Sequence, residues 1–254
     1  MFTFERQDKI LKILKKKPGV RVSDLSSSLG VSEATIRRDL NKLHETRQIQ
    51  RIYGGAILAE KTPPEAYLMT QRATENIEEK SRIGKLTASL VHEGDTVFIG
   101  SGTTTQEVAR NLAGRQNITI ITNAITIINL LYQEEGISLI ATGGLLRLSE
   151  LSFIGHLTES ALRELRPQKV IMGIRAISLI EGLTNDYLPE VSTDRLIIQS
   201  APEVILVADH TKFGKVSTAL IAPLSFIHTL VTDTGIDEEI LPSLNGLVKN
   251  VLLA

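Results

Sequence analysis

Two short amphipathic helices that meet at a glycine are predicted by residues 22–43, which read VSDLSSSLGVSEATIRRDLNKL. The first has an apolar stripe from Val22 to Leu29, and Gly30 then supplies the left-handed residue that commonly ends a helix. The second carries its apolar side chains on one side, at Ile36, Leu40 and Leu43. Two helices joined by a tight turn that contains glycine match the geometry of a helix-turn-helix.

The opposite side of the second predicted helix carries small and cationic side chains, as a helix that enters a DNA major groove requires. This side presents Ala34, Arg38, Asn41 and Lys42, flanked by Thr35 and Arg37. We expect Ser23 and Ser32 to be the N-caps of the two helices and to belong to the DNA-binding surface. The arginine pair supplies positive charge and the capacity to read guanine.

A helix precedes this motif and a hairpin follows it. Apolar residues recur at helical spacing within residues 5–17, and a Pro-Gly pair then ends that helix. Residues 49–53 alternate like a strand, and a Gly-Gly turn leads into an apolar return at residues 56–58. Such a hairpin is a wing, on which Arg51 and Tyr53 are placed to reach the sugar-phosphate backbone.

Charge is distributed unevenly along the 254 residues, although the net charge is only -1. Residues 1–56 contain 12 Lys and Arg against 6 Asp and Glu, whereas the remainder contains 16 against 23. A small basic module joined to a larger acidic one predicts that only the first meets a polyanion. A protein-interaction module with a solvated cationic face is the alternative, but the turn, the outward arginines and the hairpin together favour double-stranded DNA.

Several classes of protein are excluded by residue types that are missing or scattered. The chain has no Cys, so it has no disulfide scaffold, no Cys-ligated zinc or iron-sulfur site and no thiol nucleophile. The histidines are scattered without metal-ligand spacing, and we therefore expect neither a metal nor a cofactor. The most apolar stretch, residues 118–131, is too short for a bilayer, so we expect a cytoplasmic protein with no membrane partner.

Beyond residue 80, β-branched runs alternate with helical patterns, which predicts an α/β domain with a mostly parallel sheet and helices on both faces. The predicted strands are residues 96–99, 118–122, 137–141, 170–172, 204–208 and 230–232. We expect a winged helix-turn-helix domain at residues 1–58, a linker at residues 59–80 with a stiff joint at Pro63-Pro64, and the α/β domain at residues 81–254.

Polar, glycine-rich turns follow several predicted strands, at the edge where open α/β sheets bind ligands. The turn at residues 100–105 leads into a helix, so its backbone N–H groups and three threonine hydroxyls form an anion cradle. Arg147, Arg175 and Lys212 follow other strands. Cationic side chains at this edge favour a phosphorylated or otherwise anionic small molecule.

The quoted stretch, together with RIYGGA at residues 51–56, resembles the winged helix of bacterial DeoR-family transcription regulators. The sensor domain of that family is resembled by residues 102–104, 143–147, 152–155, 182–184, 209–214 and 232–233. The resemblance implies a fold similar to that of sugar-phosphate isomerases, and phosphorylated sugars or related anionic metabolites as effectors. An acidic residue is usual where Arg175 stands, which favours an additional negative charge on the ligand.

The resemblance also implies which residues contact the effector: the Gly-Thr turn holds phosphate and Lys212 approaches the sugar. The expected contacts are Ser101, Gly102, Thr103, Thr104, Thr105, Gly143, Gly144, Arg147, Arg175, Glu190, Asp209 and Lys212.

A sugar-phosphate isomerase needs a positioned acid and base, for which Asp209, Glu190 and His210 are the candidates. We favour an Asp209 carboxylate that is satisfied locally, so we expect no catalytic residues and no enzyme. Three hypotheses stay open: a ligand-responsive repressor of a sugar or carbohydrate operon, a DNA-tethered isomerase, and a helix-turn-helix protein whose second domain only oligomerises. We expect a homo-oligomer, either dimer or tetramer, because such domains generally read paired half-sites.

Overall fold

The computed structural model describes residues 3–16, 19–45, 49–52, 54–58, 69 and 71–254. The chain divides into two units, Met1–Thr62 and Pro63–Ala254. The predicted joint at Pro63-Pro64 lies outside the described residues. Over the described ranges, no helix is both long enough and apolar enough to cross a membrane.

The described part of the first unit consists of helices and one small antiparallel sheet. Its helices are α1 (Thr3–Lys16), α2 (Val22–Leu29) and α3 (Glu33–Glu45), and its strands are β1 (Gly19–Arg21), β2 (Ile49–Ile52) and β3 (Gly55–Leu58). Strands β2 and β3 form the predicted hairpin, and the sheet order is β1-β3-β2. Strand β1 was not predicted, because its three residues are too few to show an alternating pattern.

The apolar stripes of the helices meet in one core, as their spacing predicts. It contains Ile10, Leu14, Val20, Val22, Leu25, Ile36, Leu40, Leu43, Ile49 and Ala56. Each fully buried Leu or Ile contributes about 1.5 to 3 kcal/mol relative to an exposed one, so this core stabilises the unit. A Cβ on Gly55 would lie 2.4 Å from the Val20 carbonyl oxygen, so only glycine lets β3 approach β1 this closely.

The helix-turn-helix has one of its two predicted caps. The Thr35 N–H donates to the Ser32 hydroxyl at 3.3 Å, which confirms Ser32 as the N-terminal cap of α3. The prediction for Ser23 was wrong: α2 begins at Val22, and Ser23 makes no cap hydrogen bond. Strand β1 runs directly into this helix, and the Val22 N–H donates instead to the Gly54 carbonyl at 2.9 Å.

The second unit is built on a seven-stranded parallel sheet of order β15-β14-β12-β9-β4-β5-β6, which confirms the predicted α/β class. These strands are β4 (Thr96–Ile99), β5 (Ile118–Thr122), β6 (Ile137–Ala141), β9 (Lys169–Met172), β12 (Glu203–Val207), β14 (Thr229–Thr232) and β15 (Asn250–Leu253). All six predicted strands are present to within one residue, whereas β15 at the edge was missed.

Helices cover both faces of this sheet. They are α4 (Ile77–Ala88), α5 (Thr103–Leu112), α6 (Ile125–Leu131), α7 (His156–Glu164), α8 (Leu188–Gln199) and α9 (Leu241–Leu247). Within β4, Phe98 packs into one apolar cluster while Val97 and Ile99 pack into the other, because successive strand residues point to opposite faces. A sheet that is buried on both faces explains why its strands read as continuous apolar runs.

Short antiparallel strands complete the second unit and were not predicted. They form a hairpin of β7 (Leu145–Arg147) with β8 (Ser152–Ile154) and a separate sheet of β10 (Ala176–Ser178), β11 (Gly182–Asn185) and β13 (Ala219–Ala222). Helix α4 packs so closely on α5 that a Cβ on Gly84 would lie 2.7 Å from the Glu107 backbone. This packing fixes the helix that follows the Gly-Thr turn.

Candidate functional site

The predicted DNA-binding face of α3 is exposed in the first unit. Ala34, Arg37, Arg38, Asn41 and Lys42 are exposed, and Thr35 is half-buried. The exposed Ser23 lies on α2, whereas Ser32 precedes α3. Tyr53 lies outside the described residues.

Arg37 and Arg51 are cationic side chains of this region with protein partners. The Arg37 guanidinium lies 3.2 Å from the Glu33 carboxylate one turn earlier, in an exposed ion pair. Arg51 of the wing donates to the Asn41 side-chain oxygen and so connects β2 to α3. Arg38 is exposed and has no ion-pair partner among the residues that the structure describes.

A buried carboxylate holds α3 in place, and sequence reasoning missed it. Asp39 is only 3% exposed and accepts hydrogen bonds from Arg6 of α1 through both carboxylate oxygens, one of them at 3.1 Å from Nη2. A bidentate pair fixes orientation as well as distance. Its only sequence signal is an acidic residue on the apolar side of an otherwise cationic helix.

In the second unit, a cleft opens at the carboxyl ends of β4, β9 and β12, where the sequence predicts a ligand. Eight of the predicted residues line it: Ser101, Gly102, Thr103, Thr104, Arg147, Arg175, Glu190 and Lys212. Further lining residues that the sequence analysis missed are Arg72, Asn123, Glu150, Asn185, Asp186 and Asp194. Most of these come from connections and helices distant in the chain, so no local pattern marks them.

The Gly-Thr turn forms one wall of the cleft. Gly102 has φ 138°, a conformation that L side chains rarely adopt, and it immediately precedes the first turn of α5. The N–H groups of a first helical turn lack intrahelical partners and attract anions. Thr105 is a correction to the prediction: it is fully buried away from the cleft, and its hydroxyl donates to the Gly102 carbonyl at 2.9 Å.

Gly143, Gly144 and Asp209 are not among the residues that line this cleft, and their predicted contact with a ligand stays a prediction. The Gly143 carbonyl accepts from the Thr158 hydroxyl at 2.7 Å, and a Cβ on Gly144 would lie 2.1 Å from the same hydroxyl oxygen. Gly144 therefore allows close packing on α7, whereas a Cβ on Gly143 would meet no neighbouring atom. Asp209 is buried and accepts from the Thr211 N–H at 3.0 Å, so its carboxylate is satisfied locally.

Cationic groups gather beside the Gly-Thr turn. Burial lowers the pKa of Lys212, and the nearby positive charges of Arg72 and Arg175 lower it further, whereas Asp209 opposes the change. Arg72 is paired with Glu150 at 2.6 Å, and Arg175 with Asp186 at 3.2 Å. Lys212 has no ion-pair partner among the described residues, and an anion in the cleft would relieve the repulsion between these cations.

Carboxylates and amides form another part of the lining. Glu190 is buried, is paired with Arg147, and accepts from the Ser152 hydroxyl at 3.1 Å. Burial raises the pKa of Glu190, and the Arg147 charge opposes this rise. Arg147 also lies 4.1 Å from the centre of the Tyr187 ring. Its charge is therefore largely used to hold Glu190 in position.

A second carboxyl group shares this network. The Asn185 side-chain amide donates to Asp194 at 2.8 Å and to Glu190 at 3.3 Å, so it bridges the two acids. Burial, with a further contribution from the Glu190 carboxylate, raises the pKa of Asp194 to about 8. A protonated Asp194 can donate a hydrogen bond, and an ionised Glu190 can accept one.

Replacing Asp194 by asparagine is expected to change how stability depends on pH. The folded protein holds a proton on Asp194 up to about pH 8, whereas the unfolded chain releases it near the ordinary value of 3.8. Between these values the folded state binds more protons, so the free energy of unfolding falls as pH rises. The stability of Asp194→Asn relative to the parent should therefore increase from about pH 5 to about pH 8, as measured by urea unfolding. A difference that is constant over this range would contradict the assignment.

The described residues contain no group of His, Asp and Glu side chains arranged to hold a metal ion. The cleft is lined by backbone N–H groups, cationic side chains, carboxyls and amides, which can donate or accept hydrogen bonds.

Comparison with known proteins gives matches over nearly the whole chain. A family model described as the DeoR-like helix-turn-helix domain matches residues 6–62, and one described as the DeoR C terminal sensor domain matches residues 75–234. The chain is 36% identical over 234 residues to the transcriptional repressor AccR of Agrobacterium fabrum, covering 92% of this chain and 90% of the relative. It is 34% identical over 229 residues to the glycerol-3-phosphate regulon repressor of Escherichia coli, covering 90% of each.

Among solved structures, the chain is similar to ribose 5-phosphate isomerase A of Methanocaldococcus jannaschii. The TM-score is 0.41 with 18% sequence identity, and the match covers 55% of each chain.

Proposed function

Because this chain belongs to the DeoR family of transcriptional regulators, we propose that it represses a sugar or carbohydrate operon and that a phosphorylated small molecule changes its affinity for DNA. The observation that carries the effector is the polarity of the cleft. A Gly-Thr turn at a helix N-terminus and the cation Lys212 line it together with the buried Glu190 and the half-buried Asp194. The turn and Lys212 can bind a phosphate, and the two acids can form hydrogen bonds with sugar hydroxyls.

The name of one relative supports the same class of ligand. The Escherichia coli protein is a repressor of a glycerol-3-phosphate regulon, and glycerol 3-phosphate combines a phosphate with hydroxyl groups. As a regulator of transcription, the chain would act in the cytoplasm, where bacterial DNA lies.

The two other hypotheses receive less support. A DNA-tethered isomerase needs a free acid and base, but Asp209 is satisfied by Thr211 and Glu190 is paired with Arg147. A domain that only oligomerises needs no polar cleft with a pair of acids. Relatives named as transcriptional repressors also favour a regulator.

Linkage between the effector and DNA requires that the effector bind one state of the protein better than the other. Arg72, within the predicted linker at residues 59–80, is the residue that we propose to transmit this preference. Its guanidinium lines the cleft and pairs with Glu150, and its backbone carbonyl accepts a hydrogen bond from the buried Lys80. A phosphate that competes with Glu150 for Arg72 therefore acts on the segment that continues toward the DNA-binding unit.

The proposal is tested by titrating the full-length protein with a panel of phosphorylated sugars and polyols. Saturation with the true effector at 100 times its dissociation constant should stabilise the protein by about 2.7 kcal/mol and change its affinity for operator DNA. Turnover of a panel member would favour the isomerase instead. Unchanged stability and unchanged DNA affinity across the panel would favour a domain that only oligomerises.

Replacing Arg38 by alanine is expected to weaken operator binding by about 1 to 3 kcal/mol, because a guanidinium that contacts a base is lost. Effector binding should not change. A matched control is Lys12→Ala, which removes the same charge from an exposed ion pair with Asp8 on α1. If the two variants bind operator equally well in electrophoretic or fluorescence titrations, the assigned recognition face is wrong.

We also propose that the protein acts as a homo-oligomer that presents two recognition helices about 34 Å apart to successive major grooves. Sedimentation of the full-length protein measures its mass, and a monomer that still binds operator tightly would contradict this proposal.

A further inference from the structure

A buried amide in the cleft belongs to none of the predicted contacts. Asn123 follows the end of β5, is only 2% exposed and lines the cleft. Its side-chain Nδ2 donates to the Phe153 carbonyl at 3.0 Å, and its own carbonyl accepts from the Phe153 N–H at 2.7 Å. The backbone and the side chain of Asn123 are thus both held by β8, so the amide has one fixed orientation.

The other end of this amide is a hydrogen-bond acceptor without a partner. Asn123 Oδ1 is buried, and no described residue donates a hydrogen bond to it. A buried acceptor left unpaired costs folding free energy, and buried polar groups are normally paired. A side chain that is fixed by one end and unpaired at the other is therefore suited to receive a donor from a ligand.

The strand register places this acceptor beside the Gly-Thr turn. Ile99 of β4 pairs with Thr122 of β5, so Gly100 and Asn123 are the next residues on two neighbouring strands. The Thr122 hydroxyl donates to the Ile99 carbonyl at 2.6 Å and accepts from the Ala124 N–H at 3.0 Å, which fixes the end of β5. The acceptor and the anion-binding turn therefore line neighbouring parts of the cleft.

We propose that Asn123 Oδ1 accepts a hydrogen bond from a hydroxyl group of the effector while the Gly-Thr turn binds its phosphate. The inference rests on the function proposed above. A fully ionised phosphate has only acceptors, so it cannot satisfy a second acceptor. Asn123 thus selects hydroxylated phosphate esters over phosphates that lack a hydroxyl.

The test compares three probes on the full-length protein by calorimetry: inorganic phosphate, propyl phosphate and glycerol 3-phosphate. Propyl phosphate keeps the phosphate and the three-carbon chain of glycerol 3-phosphate but lacks every hydroxyl, so the comparison does not depend on which hydroxyl is bound. We expect the parent protein to bind glycerol 3-phosphate about 10-fold more tightly than propyl phosphate, which corresponds to about 1.4 kcal/mol.

In Asn123→Leu, this preference should fall to about 2-fold or less, while the affinity for inorganic phosphate stays within about 2-fold of the parent. Asn111→Leu is the matched control, since its side chain donates to the Glu107 carbonyl and does not line the cleft. Asn123→Ala, which also removes the acceptor, serves if the leucine variant does not fold.

Each outcome has a separate meaning. An equal preference in the parent and the Asn123 variants would overturn the inference, as would a parent that does not distinguish the two esters. Both results would leave phosphate binding intact. If the parent binds none of the three phosphates, the inference fails for them, while the proposed function is decided separately by the panel of phosphorylated sugars and polyols.

Discussion

Asp39→Asn is expected to destabilise the DNA-binding unit by about 3 kcal/mol, because it breaks a buried bidentate ion pair. The carboxylate of Asp39 is 3% exposed and the guanidinium of Arg6 11% exposed, so the arginine charge that remains has little access to water. Helix α3 would lose its ion pair with α1, and only the apolar contacts between the two helices would remain. We therefore expect weaker operator binding even though Asp39 does not face DNA.

Hydrogen exchange of the full-length protein, followed by mass spectrometry, measures this effect in α1 and α3 directly. A loss of about 3 kcal/mol corresponds to exchange faster by about 100-fold where opening of the unit limits protection. The control is Glu33→Gln, which breaks the ion pair with Arg37 on the same helix. The side chains of Arg37 and Glu33 are both at least half exposed, so the expected loss of stability is below about 1 kcal/mol. Equal losses in the two variants would show that burial of the Arg6–Asp39 pair has no special importance.

Lys212→Glu is expected to weaken effector binding by more than about 100-fold, because a cation beside the phosphate is replaced by a repelling anion. Like charges brought together in this way cost several kcal/mol. The milder Lys212→Met removes only the attraction and should weaken binding by about 10- to 100-fold. Affinity for operator DNA without effector should remain that of the parent.

Lys249→Glu is the matched control for this experiment, since it makes the same change of charge elsewhere in the second unit. Lys249 is exposed and does not line the cleft. Calorimetric titration with the effector found in the phosphate panel measures all three variants. If Lys249→Glu weakens binding as much as Lys212→Glu, the general charge of the surface matters and Lys212 has no specific contact.

The helices and strands of each unit were predictable because their apolar residues recur at a regular spacing along the sequence. Ile36, Leu40 and Leu43 recur at helical spacing and are all buried against one core. The strands of the parallel sheet read as apolar runs because both of their faces are covered. The short strands β1, β7 and β10 have three residues each, and no period can be recognised over so few positions.

Most of the candidate site was predictable because its residues follow a strand, whereas Glu190, on α8, was predicted only from the family resemblance. Ser101 to Thr104 were found by their position after a strand, and Asn123 follows β5 and had the same signal. Arg72, Glu150 and Asp194 belong to other kinds of segment, and only the folded chain brings them to the cleft. The same holds for Asp209, whose polar position after β12 suggests a ligand although Thr211 satisfies it.

The sequence by itself thus specifies the helix-turn-helix, the wing, the alternation of strands and helices, and the Gly-Thr turn. These features depend on neighbouring residues and on the spacing of apolar side chains. The partners of the charged groups depend on distances across the chain. Arg6 is 33 residues from Asp39, and Arg72 is 78 residues from Glu150. Only packing of the helices and sheet brings such groups within hydrogen-bond reach, and packing therefore decides which cations are already paired and which are available to DNA or an effector.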